Sequence, residues 1–397
     1  MRRFFERIAP YFQKGGKYEK LFPLFEMVET FFYDPLIKTE GKTHIRDGLD
    51  LKRTMIIVFL AILPTAIFGI YNVGYQANIA IYEAGAKIAG FRHEIMNLFN
   101  ISYDPNSFLS NFFLGSLYFL PLYIVTLVVG GFWEVLFAVI RKHEIAEAFL
   151  VTSLLYPLIL PPTVPLWQAA AALSVGLVFG KEVFGGTGRN FINPALFSRA
   201  ILFFSYPQSM TGNNIWIAVD GFSKATPLAA FSEKGYNFGY TFLDGLFGTI
   251  PGSIGETSAI LCILGALILI ITGIGSWKIM LGMVLGMGIT TYLFNFIGSQ
   301  TNMMFNLPFY YHLVFGGFAF GMAFMITDPV SASMTETGKW VYGFLVGFLN
   351  ALVRVVNPAF PEGTMLAILF GNVFAPFIDS IFIKRYIKRR ELRYERD

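Results

Sequence analysis

The chain alternates long apolar runs with short polar connections. A helix that crosses a bilayer needs about 20 mostly apolar residues, because each adds about 1.5 Å against a hydrocarbon core roughly 30 Å thick. Ten runs approach that length, at 54–72, 108–140, 146–161, 166–182, 194–206, 257–274, 277–297, 307–327, 338–356 and 364–383. They predict an all-α polytopic membrane protein. The second run is too long for one straight crossing, and Gly130-Gly131 inside it predicts a break or a strong tilt. The third and fifth are short. The same pattern divides the chain into a segment 1–53, a first group of spans 54–206, a polar loop 207–256, a second group 257–383 and a basic tail 384–397.

Composition supports the lipid reading. The 397 residues are 55% hydrophobic and only 14% charged, too little charge to cover a soluble domain of this size. The first residues, MRRFFERIAPYFQKGGKYEK, have no continuous apolar stretch and no small-residue cleavage site, so no cleaved signal peptide is expected. The single cysteine, Cys262, lies in an apolar run. It excludes an internal disulfide or a cysteine-ligated cluster built from this chain alone, and reads as a small apolar filler.

Charge sets the orientation. Residues 1–53 hold 11 Lys and Arg and the tail 384–397 holds 7, out of 30 in all. The positive-inside rule puts both ends in the cytoplasm, which needs an even number of spans. Alternation from there also places Arg141, Lys142, Lys181, Arg189, Lys278 and Lys339 inside, and leaves Lys87, Arg92, Lys224 and Lys234 outside. The basic balance then faces anionic lipid headgroups. No basic-aromatic interleaving of a nucleic-acid type is present. The loop 207–256 falls outside, and a loop of that length is usually functional.

The chain echoes itself. GRNFINPALFSRAIL (188–202) matches VRVVNPAFPEGTMLAIL (353–369), and GFWEVLFAVI (131–140) matches GSWKIMLGMV (275–284). Five spans per half make the halves inverted relative to each other, an arrangement that places a pathway at their interface. An Asn-Pro pair also simply starts a helix.

Among residues that carry chemistry, Glu134, Glu182, Asp328 and Asp379 lie in or at the ends of apolar runs. An ionisable group at membrane depth is costly and points to function, and carboxylates replace the hydration shell of a cation. The alternative is a helix-end residue that reaches the interface. GGTGRN between the fourth and fifth spans offers close backbone approach and amide donors, for a flavin ring or a phosphate, or serves as a tight turn. It is not a dinucleotide fingerprint. His44, His93, His143 and His312 have no i,i+4 pairing, so no metal site is expected; His312, in FYYH, reads as a packed interface residue. GxSxG, HExxH and Walker patterns are absent, so no hydrolytic or ATP-driven catalytic residue is assigned.

The sequence resembles the B-type subunit family of the sodium-translocating NADH:quinone oxidoreductase (Na+-NQR) over nearly its whole length. Long runs carry the likeness: GGKYEKLFPLFE, RDGLDLKR, VGGFWEVLFAVIRKHE, KEVFGGTGRNFINPA, DGFSKAT, PGSIGE, HLVFGGFAFGMAFMITDPVSAS and RVVNPAFPEGTMLAILFGNVFAP. A sister family is the D-type membrane component of the Rnf complex. The resemblance implies a covalent FMN, joined by a phosphoester to the threonine of a D-x-x-[ST]-x-A-T motif. Here that motif is Asp220, Ser223, Ala225 and Thr226, with Thr226 as the acceptor and Lys224 where the family usually has Gly. Without the resemblance, Thr226 before Pro227 reads as a helix N-cap. The two are compatible, because free N–H groups at a helix start favour a phosphate.

The resemblance further implies a noncovalent riboflavin, sought near Asn190 and Asn193, and a quinone site at Gly130, Gly131, Phe132 and Trp133. It makes Glu134, Asp328 and Asp379 candidates for Na+ passage. Its partners would be the A, C, D, E and F components of a six-subunit complex in the bacterial cytoplasmic (inner) membrane. Electrons would run from a partner's flavin through FMN and riboflavin to quinone, coupled to Na+ export. An Rnf-type ferredoxin:NAD subunit or a non-redox transporter or channel shares the spans and buried acids. DGFSKAT speaks against the transporter, and the N-terminal segment against the Rnf type.

Overall fold

The computed structural model describes residues 2–12, 15–18, 22, 25, 51–85, 88, 90–141, 148–220, 222–357 and 362–394. Most of the expected cytoplasmic segment 1–53 with His44, then Lys87, Lys142, His143, Gly221, the Pro358 to Pro361 part of the second echo and the last tail residues lie outside the described residues.

The regular elements among the described residues are helices. The order is α1 (Arg2–Phe12), α2 (Leu51–Ala84), α3 (Phe91–Leu98), α4 (Phe108–Arg141), α5 (Ala148–Leu158), α6 (Leu166–Gly180), α7 (Pro194–Ser205), α8 (Pro227–Lys234), α9 (Phe242–Phe247), α10 (Ala259–Ile271), α11 (Trp277–Ile297) and α12 (Phe309–Val314). Then come α13 (Phe318–Phe320, running on as a π-turn Gly321–Met325), α14 (Glu336–Val356) and α15 (Thr364–Tyr394). Among the described residues, five helices are long and apolar enough to cross a membrane: Arg53–Glu83, Phe108–Arg141, Trp277–Ile297, Glu336–Val356 and Thr364–Arg393.

Three expectations need correction. First, two runs are longer as helices than their apolar bounds: the run 54–72 continues as α2 to Ala84, and the run 364–383 continues as α15 through the basic tail to Tyr394. The later part of α2 carries Asn72 and Gln76, whose amides hold the carbonyls of Ile250 (2.9 Å) and Thr249 (3.0 Å) and so tie the helix to the long loop. Secondly, α4 runs unbroken through Gly130 and Gly131. Glycine in a helix costs only about 1 kcal/mol against alanine, less than opening a backbone ladder away from water. Thirdly, the run 307–327 is not one helix. Gly316 (φ 68°) and Gly317 (φ 67°) sit in the left-handed region and break it between α12 and α13.

Arg354 answers that break. Its side chain on α14 is fully buried. It donates to the carbonyls of His312 (2.8 Å) and Gly316 (2.6 Å), which the break leaves without helical partners, and to Thr364 Oγ1 (3.0 Å). Asn350 and Tyr342 follow one and three turns away on the same helix face. Asn350 donates to Thr364 Oγ1 (3.1 Å), and Tyr342 Oη to Asn372 Oδ1 (2.7 Å). His312 is therefore an interior residue, not an interface one; it is wholly buried beside the break.

Helix pairs meet backbone to backbone at glycines. Gly282 and Gly286 on α11 face Gly343 and Gly347 on α14, and a Cβ on Gly286, Gly343 or Gly347 would collide with the opposite backbone. Gly74 and Gly115 do the same for α2 and α4. Small residues spaced by four supply the close packing that membrane helices use in place of a hydrophobic drive.

The pairing pattern repeats in part, since the close packing of α2 on α4 has no comparable counterpart between α10 and α11. α2 packs on α5 as α10 does on α13; α4 on α5 and α6 as α11 does on α12 and α14; α6 on α7 as α14 does on α15; and α5 on α7 as α13 does on α15. Two pairs, α2 with α10 and α7 with α15, join one set to the other.

Candidate functional site

Thr226 opens α8, with Pro227 in the first turn. Its backbone carbonyl accepts from Ala230 N (2.8 Å), but its side chain makes no cap hydrogen bond. Thr226 instead lines a cleft of about 220 Å³, together with Arg199, Asn213, Trp216, Glu233 and Glu362, and its side chain contacts the Glu362 carboxyl. Of the motif, Asp220 and Ser223 are exposed, and the carbonyl of Ala225 accepts from Tyr240 Oη (3.3 Å). Lys224 does not line the cleft; its ammonium lies 5.8 Å from the centre of the Tyr240 ring, and burial pushes its pKa down.

A buried ion network backs the cleft. Arg199 on α7 donates to Glu256 Oε1 (3.2 Å) and Ser253 Oγ (3.4 Å) and lies 3.9 Å from Glu362 Oε2. Burial and the neighbouring Glu256 push the Glu362 carboxyl up, while Arg199, Arg354 and its contact with Thr226 pull it down. The glycine break closes the far side: a Cβ on Gly317 would lie 2.8 Å from the Glu256 carboxyl. The residues present suit a phosphate carried on Thr226, with a buried guanidinium facing it. The volume holds a phosphate and its short chain; pockets that enclose a whole ligand run to roughly 300–1,000 Å³.

The opposite end of the bundle holds the other acids. Glu134 on α4 is buried and paired with Lys181, and Lys181 lies 3.9 Å from Glu182, which Arg141 meets at 3.4 Å. Asp328 follows α13. It accepts from Ser331 Oγ (2.9 Å), Val330 N (3.2 Å) and Asn193 Nδ2 (3.4 Å). Asn193 caps α7 through Ala195 N (3.0 Å) and Leu196 N (3.2 Å), and Asn190 donates to Ile192 O (3.0 Å). Asn190, Asn193, Lys181 and Asp328 line one cavity of about 70 Å³. That is room for a few waters or a cation, not for a flavin ring.

Asp379 stands apart. It accepts from Ser333 Oγ (2.6 Å), Thr335 Oγ1 (2.6 Å), Met334 N (2.8 Å) and Thr335 N (3.0 Å), and so pins the loop before α14. The structure therefore does not bring Glu134, Asp328 and Asp379 together. Among the described residues, no cluster of three or more His, Cys, Asp or Glu that could hold a metal is present. Gly130 and Gly131 also differ. Gly130 faces inward under the Phe149 ring, while a side chain on Gly131 would meet only Phe149 Cε1 at 3.8 Å. Phe132 is 59% exposed and packs edge-on against Trp133 (5.4 Å), so this patch faces outward from the bundle.

Arg199, Arg354, Glu256 and Glu362 are absent from the sequence-predicted site. The signal was there for two of them: Arg199 and Arg354 are charges inside apolar runs, subject to the rule that singled out the acids.

Broken and glycine-packed helices around buried ion networks define a multi-pass helical membrane protein. The chain belongs to the NQR2, RnfD, RnfE family, whose profile matches residues 38–388. It is 53% identical over 396 residues to the B subunit of the Na(+)-translocating NADH-quinone reductase of Chromohalobacter salexigens, covering 99% of this chain and 96% of that one. It is 54% identical over 400 residues to proteins of the same name from Ectopseudomonas mendocina and Stutzerimonas stutzeri, covering 99% of each.

Proposed function

We propose that this chain is the B-type subunit of a Na+-translocating NADH:quinone oxidoreductase, carrying FMN on Thr226 and passing electrons toward quinone as Na+ leaves the cytoplasm. The likeness to relatives of that name over 99% of the chain carries the reading. When bound, FMN supplies electron carriage. The chain's own part is to present the Thr226 hydroxyl, free of a cap bond, in a cleft with a buried guanidinium. The test is ultraviolet fluorescence and intact mass of the denatured chain from a host with a flavin transferase. A fluorescent band one flavin phosphate heavier is expected; a dark band of bare-chain mass sinks the reading and favours a non-redox transporter.

Ten spans in two inverted halves, with both ends in the cytoplasm of the bacterial inner membrane, belong to the same reading. The recurring helix pairs support two halves. So do the cross-links between connections. Glu134–Lys181, Asn193–Asp328 and Lys278–Glu336 join ends assigned inside, and Gly255–Leu158, Asn302–Val355 and Tyr236–Asn306 join ends assigned outside. With Cys262 replaced, a cysteine at Ser232 is expected to react with an impermeant maleimide added outside, and one at Gly188 is not. The reverse pattern would overturn the topology.

The A, C, D, E and F components of the complex would be its partners. Riboflavin is proposed at the face of Asn190 and Asn193, where entry requires α2 and α5 to part from α13 and enlarge the cavity. Na+ passage is proposed past Glu134, Asp328 and Asp379 as separate points, not one site. The quinone is proposed at the outward patch of Gly131, Phe132 and Trp133, with Gly130 behind it. Gly131→Val should leave folding and flavin content intact, because a side chain there meets no tight neighbour. Apparent quinone affinity is expected to fall about tenfold, equivalent to about 1.4 kcal/mol. Unchanged quinone dependence of steady-state reduction would move the site elsewhere.

A further inference from the structure

The Thr226 cleft carries a charge problem that its own side chains can solve. Arg199, Glu233 and Glu362 line it, Glu233 from the exposed end of α8, with Glu256 and Arg354 behind, and Arg354 is committed to the helix break. Arg199 holds Glu256 at 3.2 Å but Glu362 only at 3.9 Å. A phosphodiester on Thr226 adds one negative charge to a desolvated site, which is costly unless a cation turns to it or an anion is neutralised. Arg199 is the cation that lines the cleft, and Glu362 is its looser partner and the carboxyl in contact with Thr226.

Resting on the reading that Thr226 carries FMN, we propose that Arg199 is the side chain that holds the flavin's phosphodiester, and that Glu362 is the carboxyl it releases to do so. Glu362 then takes up a proton and stays in the cleft as a neutral hydrogen-bond donor to the phosphate. Its carboxyl is already displaced upward by burial and by Glu256, so uptake occurs closer to neutral pH than for an ordinary glutamate. Arg199 and Glu362 are positioning residues; neither needs to touch the flavin ring.

A double-mutant cycle on the assembled complex, made with a flavin transferase, separates this from a structural role. The Tm difference between Thr226 and Thr226→Ala measures what flavin attachment adds. With Arg199 that difference is expected to favour the flavin-bearing complex and to grow as pH falls, because attachment raises the proton affinity of Glu362. In Arg199→Gln it should vanish or reverse, and Arg199→Lys should restore part of it. An Arg199 that only braces Glu256 would lower every Tm and leave the difference unchanged, which overturns the proposal. Glu362→Gln keeps the shape and supplies a second arm should Arg199→Gln fail to assemble. Its difference is expected to be at least that of the wild type and independent of pH; a wild-type pH dependence there would also overturn it. Intact mass keeps the two readings apart: no adduct on the wild type defeats flavin attachment itself, whereas adduct with an unchanged cycle defeats only the roles of Arg199 and Glu362.

Discussion

Arg354→Ala is expected to destabilise the protein by roughly 3–5 kcal/mol, the cost of breaking a buried charged network by removing one member. Replacing a whole buried ion pair with apolar residues can be neutral, but here most of the partners cannot be replaced. They are backbone carbonyls of His312 and Gly316, released because Gly316 and Gly317 turn the chain out of its helix. Without the guanidinium the His312 carbonyl loses its donor at a buried site and the Gly316 carbonyl keeps only Thr364 Oγ1 (3.3 Å), and an unsatisfied buried group costs about 1–3 kcal/mol. Arg354→Lys should recover little, since one ammonium cannot span two carbonyls and Thr364 Oγ1 in the fork geometry of arginine. Arg354→Met tests charge against shape and should fall near Ala. The measurement is the Tm and monodisperse yield of the detergent-solubilised complex. A wild-type Tm in both Ala and Met variants would mean the break is stabilised by something other than Arg354.

Thr226→Ala is expected to remove all covalent flavin from this chain and to drop NADH-driven quinone reduction to background. The fold should survive, because the side chain makes no cap hydrogen bond to lose and Pro227 still opens α8. Thr226→Ser keeps the hydroxyl and should retain a measurable fraction of both. Electron entry from NADH into the rest of the complex lies upstream and should be unchanged. Intact mass, band fluorescence and steady-state quinone reduction are read together. Flavin retained on the Ala variant would place the attachment at another residue.

Much of this protein follows from order alone. The spacing of apolar runs, each long enough to demand lipid or a helix interior, determined a helical membrane protein and the bounds of most helices within a few residues. The concentration of lysine and arginine at the two ends sets an expected orientation, because moving a cation across the bilayer is costly wherever it sits in the fold. The DGFSKAT string, through its family resemblance, singles out Thr226. Other features depend on groups far apart in sequence. Gly130-Gly131 reads as a helix breaker, yet the backbone ladder holds there and the break falls at Gly316-Gly317, where Arg354 is positioned to satisfy the freed carbonyls. Glu134, Asp328 and Asp379 read alike as buried acids. Packing gave each a different set of partners: an ion pair with Lys181, an amide beside a small cavity, and a clamp on the loop before α14. Arg199 and Glu362, far apart in the chain, became neighbours of Thr226 only because α7 packs on α15. Local sequence sets hydrogen bonding and hydropathy along the chain; which charge meets which is set by long-range helix packing, and that is a property of the tertiary structure.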